Sequence, residues 1–221
     1  MSGKLVMNAL VMFDRETDSL WSQFLAAAVD GPLTGQRMEL LPSQLTTWAA
    51  WTRQHEDSLL LDRSSGGRRG AFGDSYASYY LSGQAGVLGE RNKDRRLPAK
   101  NKVVGLDHGQ ERIAYAFSHL DAQPVVNDAY DDNPIVVAFD RSSEGTGVFS
   151  STVGGQVLTF ASVDDTSMRD EQTGSVWSVP AGLALSGPLA GEQLEQRLRF
   201  VSFWLAWTDF YPDTHLYEPL A

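Results

Sequence analysis

The chain has 221 residues, of which 42% are hydrophobic and none is cysteine, so it can bury a sizeable core but has no disulfides, thiolate nucleophiles or zinc-thiolate sites. Its formal net charge of −10 disfavours contact with a nucleic-acid backbone. No apolar stretch reaches the roughly 18 residues of a membrane-spanning helix, so we expect a soluble, acidic protein with neither a nucleic-acid partner nor a membrane span.

One segment occurs twice in this chain. Residues 12–61 align without a gap with residues 168–217, and 18 of the 50 aligned positions are identical. All six tryptophans lie at repeated positions, and GPLTG at 31–35 matches GPLAG at 187–191. An internal repeat of this length predicts two structural units of the same design.

Each copy predicts the same order of elements. Strand-like residues flank turn-forming residues at its start, which indicates a hairpin, and the proline and glycines of GPLTG mark a defined turn. A strand such as residues 36–42 is expected next, followed by a helix behind a Ser43 cap, because Leu45, Trp48 and Thr52 recur at helical spacing. A last strand over residues 59–62 completes a unit of hairpin, turn, strand, helix and strand.

Two stretches of different composition separate the copies. Residues 62–101 are rich in Gly, Ser and Arg, which predicts a linker or a long surface loop. From Lys102 onward short β-rich segments alternate with turn residues, among them Asp131 and Asp132 between two strands. We therefore predict a β-rich α+β fold with a first repeat unit at 1–61, a linker at 62–101 and a second unit at 102–221.

The two copies differ in what precedes them. The second follows 66 residues of predicted strands, whereas the first follows only 11 residues. If those strands complete each unit, the first unit is incomplete and about 55 residues are missing before Met1. This hypothesis predicts that a partner, such as a second copy in a homo-oligomer, covers the first unit. It also leaves the compartment open: the chain as it stands carries no secretory signal, as in a cytoplasmic protein, but a longer form is consistent with export.

Several segments together resemble the domain-of-unknown-function family 3179 of bacterial and archaeal proteins. They are the opening SGKLVMNALVMFDRETDSLWSQF, the GPLTG turn, LPSQLTTWAAW, DSYASYY, DRRLPAKNKVVGL, PVVND and FWLAWTDFYPDTHLY. The resemblance implies two tandem units, the first of which opens in fuller members with His-Glu, Val-Asn-Asp and Cys-Pro-x-Cys segments. Here the first opening is absent, and residues 139–143 (FDRSS) stand where a cysteine pair of the second unit would fall. The resemblance implies a fold and an organisation but no established activity.

Two groups of residues are candidates for binding. Arg68 and Arg69 lie close in sequence to Tyr76, Tyr79 and Tyr80, and such arginines can hold a carboxylate or phosphate beside tyrosine rings. The alternative is a solvated loop whose tyrosines pack on the sheet, and we favour it. Trp21 and Trp177 form the second group, as the wall of an aromatic ligand pocket or, more simply, as core residues.

Motifs for catalysis are absent from the sequence. No nucleophile elbow, phosphate loop or dinucleotide fingerprint occurs, and the four histidines have no paired spacing, so we predict no catalytic residue, cofactor or metal site. The favoured interpretation is a non-catalytic module that binds a small ligand or a protein. One alternative is a hydrolase-like or metal-dependent enzyme with a site between the units, built from residues such as Asp14, Asp170, Arg68 and His119. The other is a truncated structural remnant.

Overall fold

The computed structural model describes residues 4–61, 77–107 and 111–219. Strands account for 35% of the residues and helices for 13%, which confirms the prediction of a β-rich fold with few helices. The strands are β1 (Leu5–Val6), β2 (Ala9–Phe13), β3 (Leu20–Ser22), β4 (Ala27–Asp30), β5 (Lys102–Leu106), β6 (Ile113–Ala116), β7 (Val125–Tyr130), β8 (Asn133–Asp140), β9 (Gly145–Ser150), β10 (Thr152–Val153), β11 (Gln156–Val157), β12 (Phe160–Ser162), β13 (Ser167–Asp170), β14 (Val176–Ser178), β15 (Ala184–Ser186), β16 (Phe200–Phe203) and β17 (His215–Leu216). The helices are α1 (Trp48–Gln54), α2 (Ala77–Leu81), α3 (Phe117–Ala122) and α4 (Trp204–Phe210).

The strands of the described residues form several sheets. Two are antiparallel and have the same sequential order, β1-β2-β3-β4 and β12-β13-β14-β15. In both, the register of the last pair shifts immediately before a tryptophan, Trp21 in one and Trp177 in the other. A third sheet, β16-β5-β6-β17, is mixed because β17 runs parallel to β6. The antiparallel sheet β7-β8-β9 and the hairpin β10-β11 complete the set.

The central sheet β7-β8-β9 is buried on both faces. Successive side chains of a strand point to opposite faces, and in β8 the residues Ile135 and Val137 join one hydrophobic core while Val136 and Ala138 join another. The first core extends to the mixed sheet and α3, and the second extends to sheet β12–β15 and Trp177. This double burial explains the unbroken apolar run at 135–139. The predicted turn at Asp131 and Asp132 is confirmed, since both residues have positive φ in a two-residue hairpin loop.

Helix α4 covers the other face of the mixed sheet. Its residues Trp204 and Trp207 are fully buried in a third core with Val103 and Ala114. Gly105 on β5 makes this approach feasible, because a Cβ at that position would lie 2.2 Å from the Trp207 ring. The strand therefore carries small side chains where the indoles lie against it.

Residues 4–61 pack against α4 and bury few hydrophobic residues of their own. The Phe24 ring stacks on Phe210 with centroids 4.5 Å apart, and the Asn8 side chain accepts from the Leu88 amide and donates to the Gly89 carbonyl. The buried hydrophobic residues of this segment are Val11 and three alanines. No helix in the described part of the chain is long and apolar enough to cross a membrane.

Three predicted elements differ from the structure. Residues 36–42 form no strand, and only Arg37 makes a single bridge to Ala27. The predicted helix of the first copy starts later than expected, because Thr47 rather than Ser43 caps α1 by accepting from the Ala50 amide. In the second copy the helix α4 also starts later, because residues 200–203 pair with β5 and form strand β16. Residues 59–61 form no strand, although β17 forms at the corresponding positions by pairing with β6. Strand pairing, which local pattern cannot reveal, decides where β16 and β17 form.

Candidate functional site

Both predicted tryptophan sites are built around an aspartate at the start of a hairpin. Trp21 Nε1 donates to Asp14 Oδ2 at 2.9 Å, and the Thr17 amide donates to Asp14 Oδ1 at 2.6 Å. The corresponding groups of the second hairpin make the same bonds: Trp177 Nε1 donates to Asp170 Oδ2 at 2.9 Å and the Thr173 amide to Asp170 Oδ1 at 2.5 Å. Each carboxylate thus fixes its own turn and its own indole.

The proline-containing turns are tied to the same hairpins. Ser19 Oγ accepts from the Leu33 amide at 3.1 Å, and Ser175 Oγ accepts from the Leu189 amide at 3.0 Å. Gly187, with φ +95°, lies so close to Ser175 that an added Cβ would approach the Ser175 Cα to 2.6 Å. The identical residues of the two copies therefore build one defined turn against one hairpin.

These contacts shift both aspartates towards the charged form. Hydrogen bonds from Trp21 and Thr17 lower the pKa of Asp14 from 3.8 to about 2. Burial raises the pKa of Asp170, but hydrogen bonds from Trp177 and Thr173 outweigh it and leave the pKa lowered. Trp177 is completely buried and Trp21 is half-buried. The geometry favours a structural role for both indoles, and an aromatic ligand pocket at these tryptophans stays a prediction.

The residues of the enzyme alternative are held separately. Asp14 and Asp170 bond within their own hairpins, and His119 Nδ1 lies 3.0 Å from the Tyr217 carbonyl oxygen. No hydrogen bond or ion pair among the described residues joins any two of these three, and Arg68 lies outside the described residues. Carboxylates saturated by their own turn are poorly placed to act as general bases.

The arginine–tyrosine segment is described only in part, since Arg68, Arg69 and Tyr76 lie outside the described residues. Tyr79 and Tyr80 belong to α2. Lys100 Nζ lies 4.1 Å from the centre of the Tyr79 ring, and the Tyr79 hydroxyl accepts from the Gly86 amide. Tyr80 packs edge-on against Phe203. Both tyrosines thus contact the protein, and a binding role for the segment stays a prediction.

Helices α1 and α4 occupy corresponding positions of the two copies and have the same local geometry. Trp51 Nε1 donates to Ser58 Oγ at 2.8 Å, and Trp207 Nε1 donates to Thr214 Oγ1 at 2.9 Å. Their surroundings differ sharply. Trp204 is 0% exposed but Trp48 is 49% exposed. Likewise Leu216 is 5% exposed and its counterpart Leu60 is 71% exposed.

The uncovered residues around α1 define a candidate docking face. We name it the α1 face, and its members are Leu45, Trp48, Leu59, Leu60 and Leu61, all of which are exposed. A groove of about 350 Å³ lies beside the helix, and Trp48 and Trp51 both line it. Exposed apolar residues grouped in this way mark interaction sites in folded proteins.

The structure also shows what covers the corresponding surface of α4. Strand β5 pairs with β16 over residues 102–105 and 200–203, and β6 pairs with β17. The counterparts of β16 are residues 44–47, which belong to no strand in the described part of the chain. The sequence comparison of the copies treated all six tryptophans alike.

A family model described as "Protein of unknown function (DUF3179)" matches residues 1–214. No curated protein and no solved structure matches the chain.

Proposed function

The chain belongs to the DUF3179 family of proteins of unknown function. We propose that it is a non-catalytic binding module whose α1 face receives an extended strand from a partner protein. One observation carries the proposal: residues that are fully buried around α4 have exposed counterparts around α1. We also propose that residues 1–61 and 102–221 are two copies of one unit joined by residues 62–101, and that the first copy is completed by this partner.

The pairing of β5 with β16 supports a strand as the occupant. Residues 44–47 lead into α1 as β16 leads into α4, so they are placed to accept an added strand. Strand addition gives affinity through main-chain hydrogen bonds and specificity through alternate side chains. An apolar partner strand would remove Trp48 and the leucines from water, which is favourable in proportion to the apolar area buried.

The residues that cover α4 define the chemistry of the partner. Val103, Ala114 and Ala116 lie in the same core as Trp204 and Trp207, and Gly105 lies beneath the Trp207 ring. All have small or β-branched side chains. The partner strand should therefore carry glycine or alanine opposite Trp51, because a larger side chain would collide with the indole.

A peptide of this chain provides a direct probe. We expect a labelled synthetic peptide with the sequence of residues 102–116 to bind the full chain with a Kd roughly between 10 μM and 1 mM, measured by fluorescence anisotropy. The substitution Trp48→Ala should weaken binding at least about tenfold, since large aromatic side chains dominate the energetics of protein contacts. The same peptide with Gly105→Val should not bind.

A control variant and a second measurement test whether the peptide binds at the α1 face. Leu185→Ala removes an exposed leucine on β15, which is not part of the α1 face, and should leave the affinity unchanged. Equal affinity of the peptide for the parent chain and for Trp48→Ala would refute the proposal. Sedimentation velocity distinguishes the two possible occupants. If the parent chain is a dimer and Trp48→Ala makes it a monomer, the face binds a second copy, and the proposal of a strand from another protein is overturned.

A further inference from the structure

Arg199 is a buried cation with an incomplete set of partners. Its residue is 9% exposed, and one guanidinium nitrogen, Nη2, donates to the Thr146 carbonyl. The other two nitrogens, Nε and Nη1, are shielded from water and have no hydrogen-bond partner in the described residues. No carboxylate among those residues forms an ion pair with it. Burial lowers the pKa of Arg199 to about 10, so the side chain still carries its charge at neutral pH.

Such an arrangement is unusual for a protein interior. A buried charge is normally paired, because the loss of hydration is otherwise uncompensated. Buried donors without partners are rare, and each calls for a physical cause such as a bound group. Gln44 Nε2, Thr46 Oγ1 and Thr146 Oγ1 are further buried atoms without a partner in the described residues. Thr46 lies near them in space, since its Oγ1 is 3.5 Å from the position of a Cβ built on Gly145.

Arg199 and Gln44 both line a cavity of about 320 Å³. Its walls come from two short segments at corresponding positions of the two copies, residues 43–45 and 199–201. Arg199 and Gln44 line it together with Leu45, Phe200 and Val201, which supply apolar surface. The volume lies in the range of small-molecule sites, which combine apolar walls with a few polar groups.

We propose that this cavity binds a small organic carboxylate, with the carboxylate towards Arg199 and Gln44 and the apolar body against Leu45, Phe200 and Val201. The donor set requires an acceptor, and the positive charge requires an anion. The apolar walls favour an organic acid over inorganic phosphate, which has no apolar part. The cavity adjoins the α1 face, because Leu45 belongs to both, but Trp48, on which the peptide test depends, does not line this cavity.

Butyrate and its neutral amide, butyramide, form a matched pair of probes. We expect butyrate to bind the full chain and to shift the backbone amide resonances of residues 43–45 and 199–201 in ¹H–¹⁵N spectra, with a Kd of about 1 mM or tighter. Butyramide and inorganic phosphate should bind at least about tenfold more weakly, since a hydrogen bond to a charged group is the stronger one.

Variants of two neighbouring arginines test the assignment. Arg199→Met keeps the length of the side chain and should weaken butyrate binding at least about tenfold. Arg197→Met is the control, since the Arg197 side chain is only partly buried and pairs with Glu195 at 3.1 Å, and it should leave the affinity unchanged. If Arg199→Met does not fold, Gln44→Leu takes its place and should also weaken binding.

Three results would overturn the proposal. They are no shift with butyrate at concentrations of about 10 mM, equal binding of butyrate and butyramide, and unchanged affinity in the folded Arg199→Met or Gln44→Leu variant. The peptide experiment on the α1 face is read through a different substitution, Trp48→Ala, so the failure of one proposal can be told from the failure of the other.

Discussion

Replacing Trp177 and Trp21 separately with phenylalanine tests whether burial decides the strength of the hairpin hydrogen bond. Both indoles donate to an aspartate Oδ2 at 2.9 Å, within hairpins of the same hydrogen-bond pattern. They differ in their surroundings. Trp177 is 0% exposed and packs edge-on against Phe160 with centroids 5.8 Å apart, whereas Trp21 is half-buried. The pair is thus a matched comparison within one chain.

The expected loss at Trp177 has two parts. Removing a hydrogen bond to a charged group costs about 1.5 to 3 kcal/mol when the acceptor is left buried. The smaller ring leaves a void in a close-packed core, which costs about 1 kcal/mol more. We therefore expect Trp177→Phe to lower the free energy of unfolding by about 2.5 to 4 kcal/mol. For Trp21→Phe we expect a clearly smaller loss, because water can replace the indole as donor to Asp14.

Urea denaturation followed by far-ultraviolet circular dichroism measures both losses, since this signal does not depend on tryptophan emission. The m-values of the two variants should agree with that of the parent chain, which would show that the same surface becomes exposed on unfolding. Equal losses for the two variants, or a larger loss for Trp21→Phe, would refute the conclusion that burial sets the strength of this bond.

Two further outcomes follow from the hairpins. Because the pKa of Asp14 is lowered from 3.8 to about 2 in the folded chain, its carboxylate stabilises the fold above about pH 4, and this contribution is lost as the pH falls towards 2. Asp14→Asn should flatten the fall of Tm in that window, and an unchanged slope would contradict the shift. Gly187→Ala should destabilise the fold by at least about 1 kcal/mol more than Gly191→Ala. Both glycines have φ above +90°, but only at Gly187 would the added Cβ meet a backbone atom, Ser175 Cα, at 2.6 Å. Equal midpoints of urea denaturation for the two variants would contradict this.

Local pattern predicted the parts of the fold that local chemistry controls. The hairpins at 12–22 and 168–178, the turn at Asp131 and Asp132, and the two tryptophan-containing helices are present in the structure. The extra strand β16 and the later helix starts were not predicted. The local sequence around Phe200 does not distinguish a strand from the start of a helix. Its strand partner, Gly105, lies almost a hundred positions earlier in the chain.

The candidate sites depended even more on the tertiary structure. The sequence pointed to Arg68, Arg69, Tyr76 and the tryptophans of the repeat as binding residues, because arginine and aromatic side chains are frequent in binding sites. It gave no reason to select Arg199, which is one arginine among several in an ordinary polar stretch. Only the cavity and the two unpaired nitrogens distinguish it.

Residue identity and short spacing were sufficient to indicate the family, to align the two repeated segments and to predict the hairpins at 12–22 and 168–178. The burial of each tryptophan, by contrast, became known only from the folded chain. Trp48 and Trp204 occupy the same position of the repeat and have similar helical neighbours, yet only Trp204 is covered, by residues of β5 and β6. Burial depends on which distant residues a side chain contacts, and two matching local sequences carry no record of that difference.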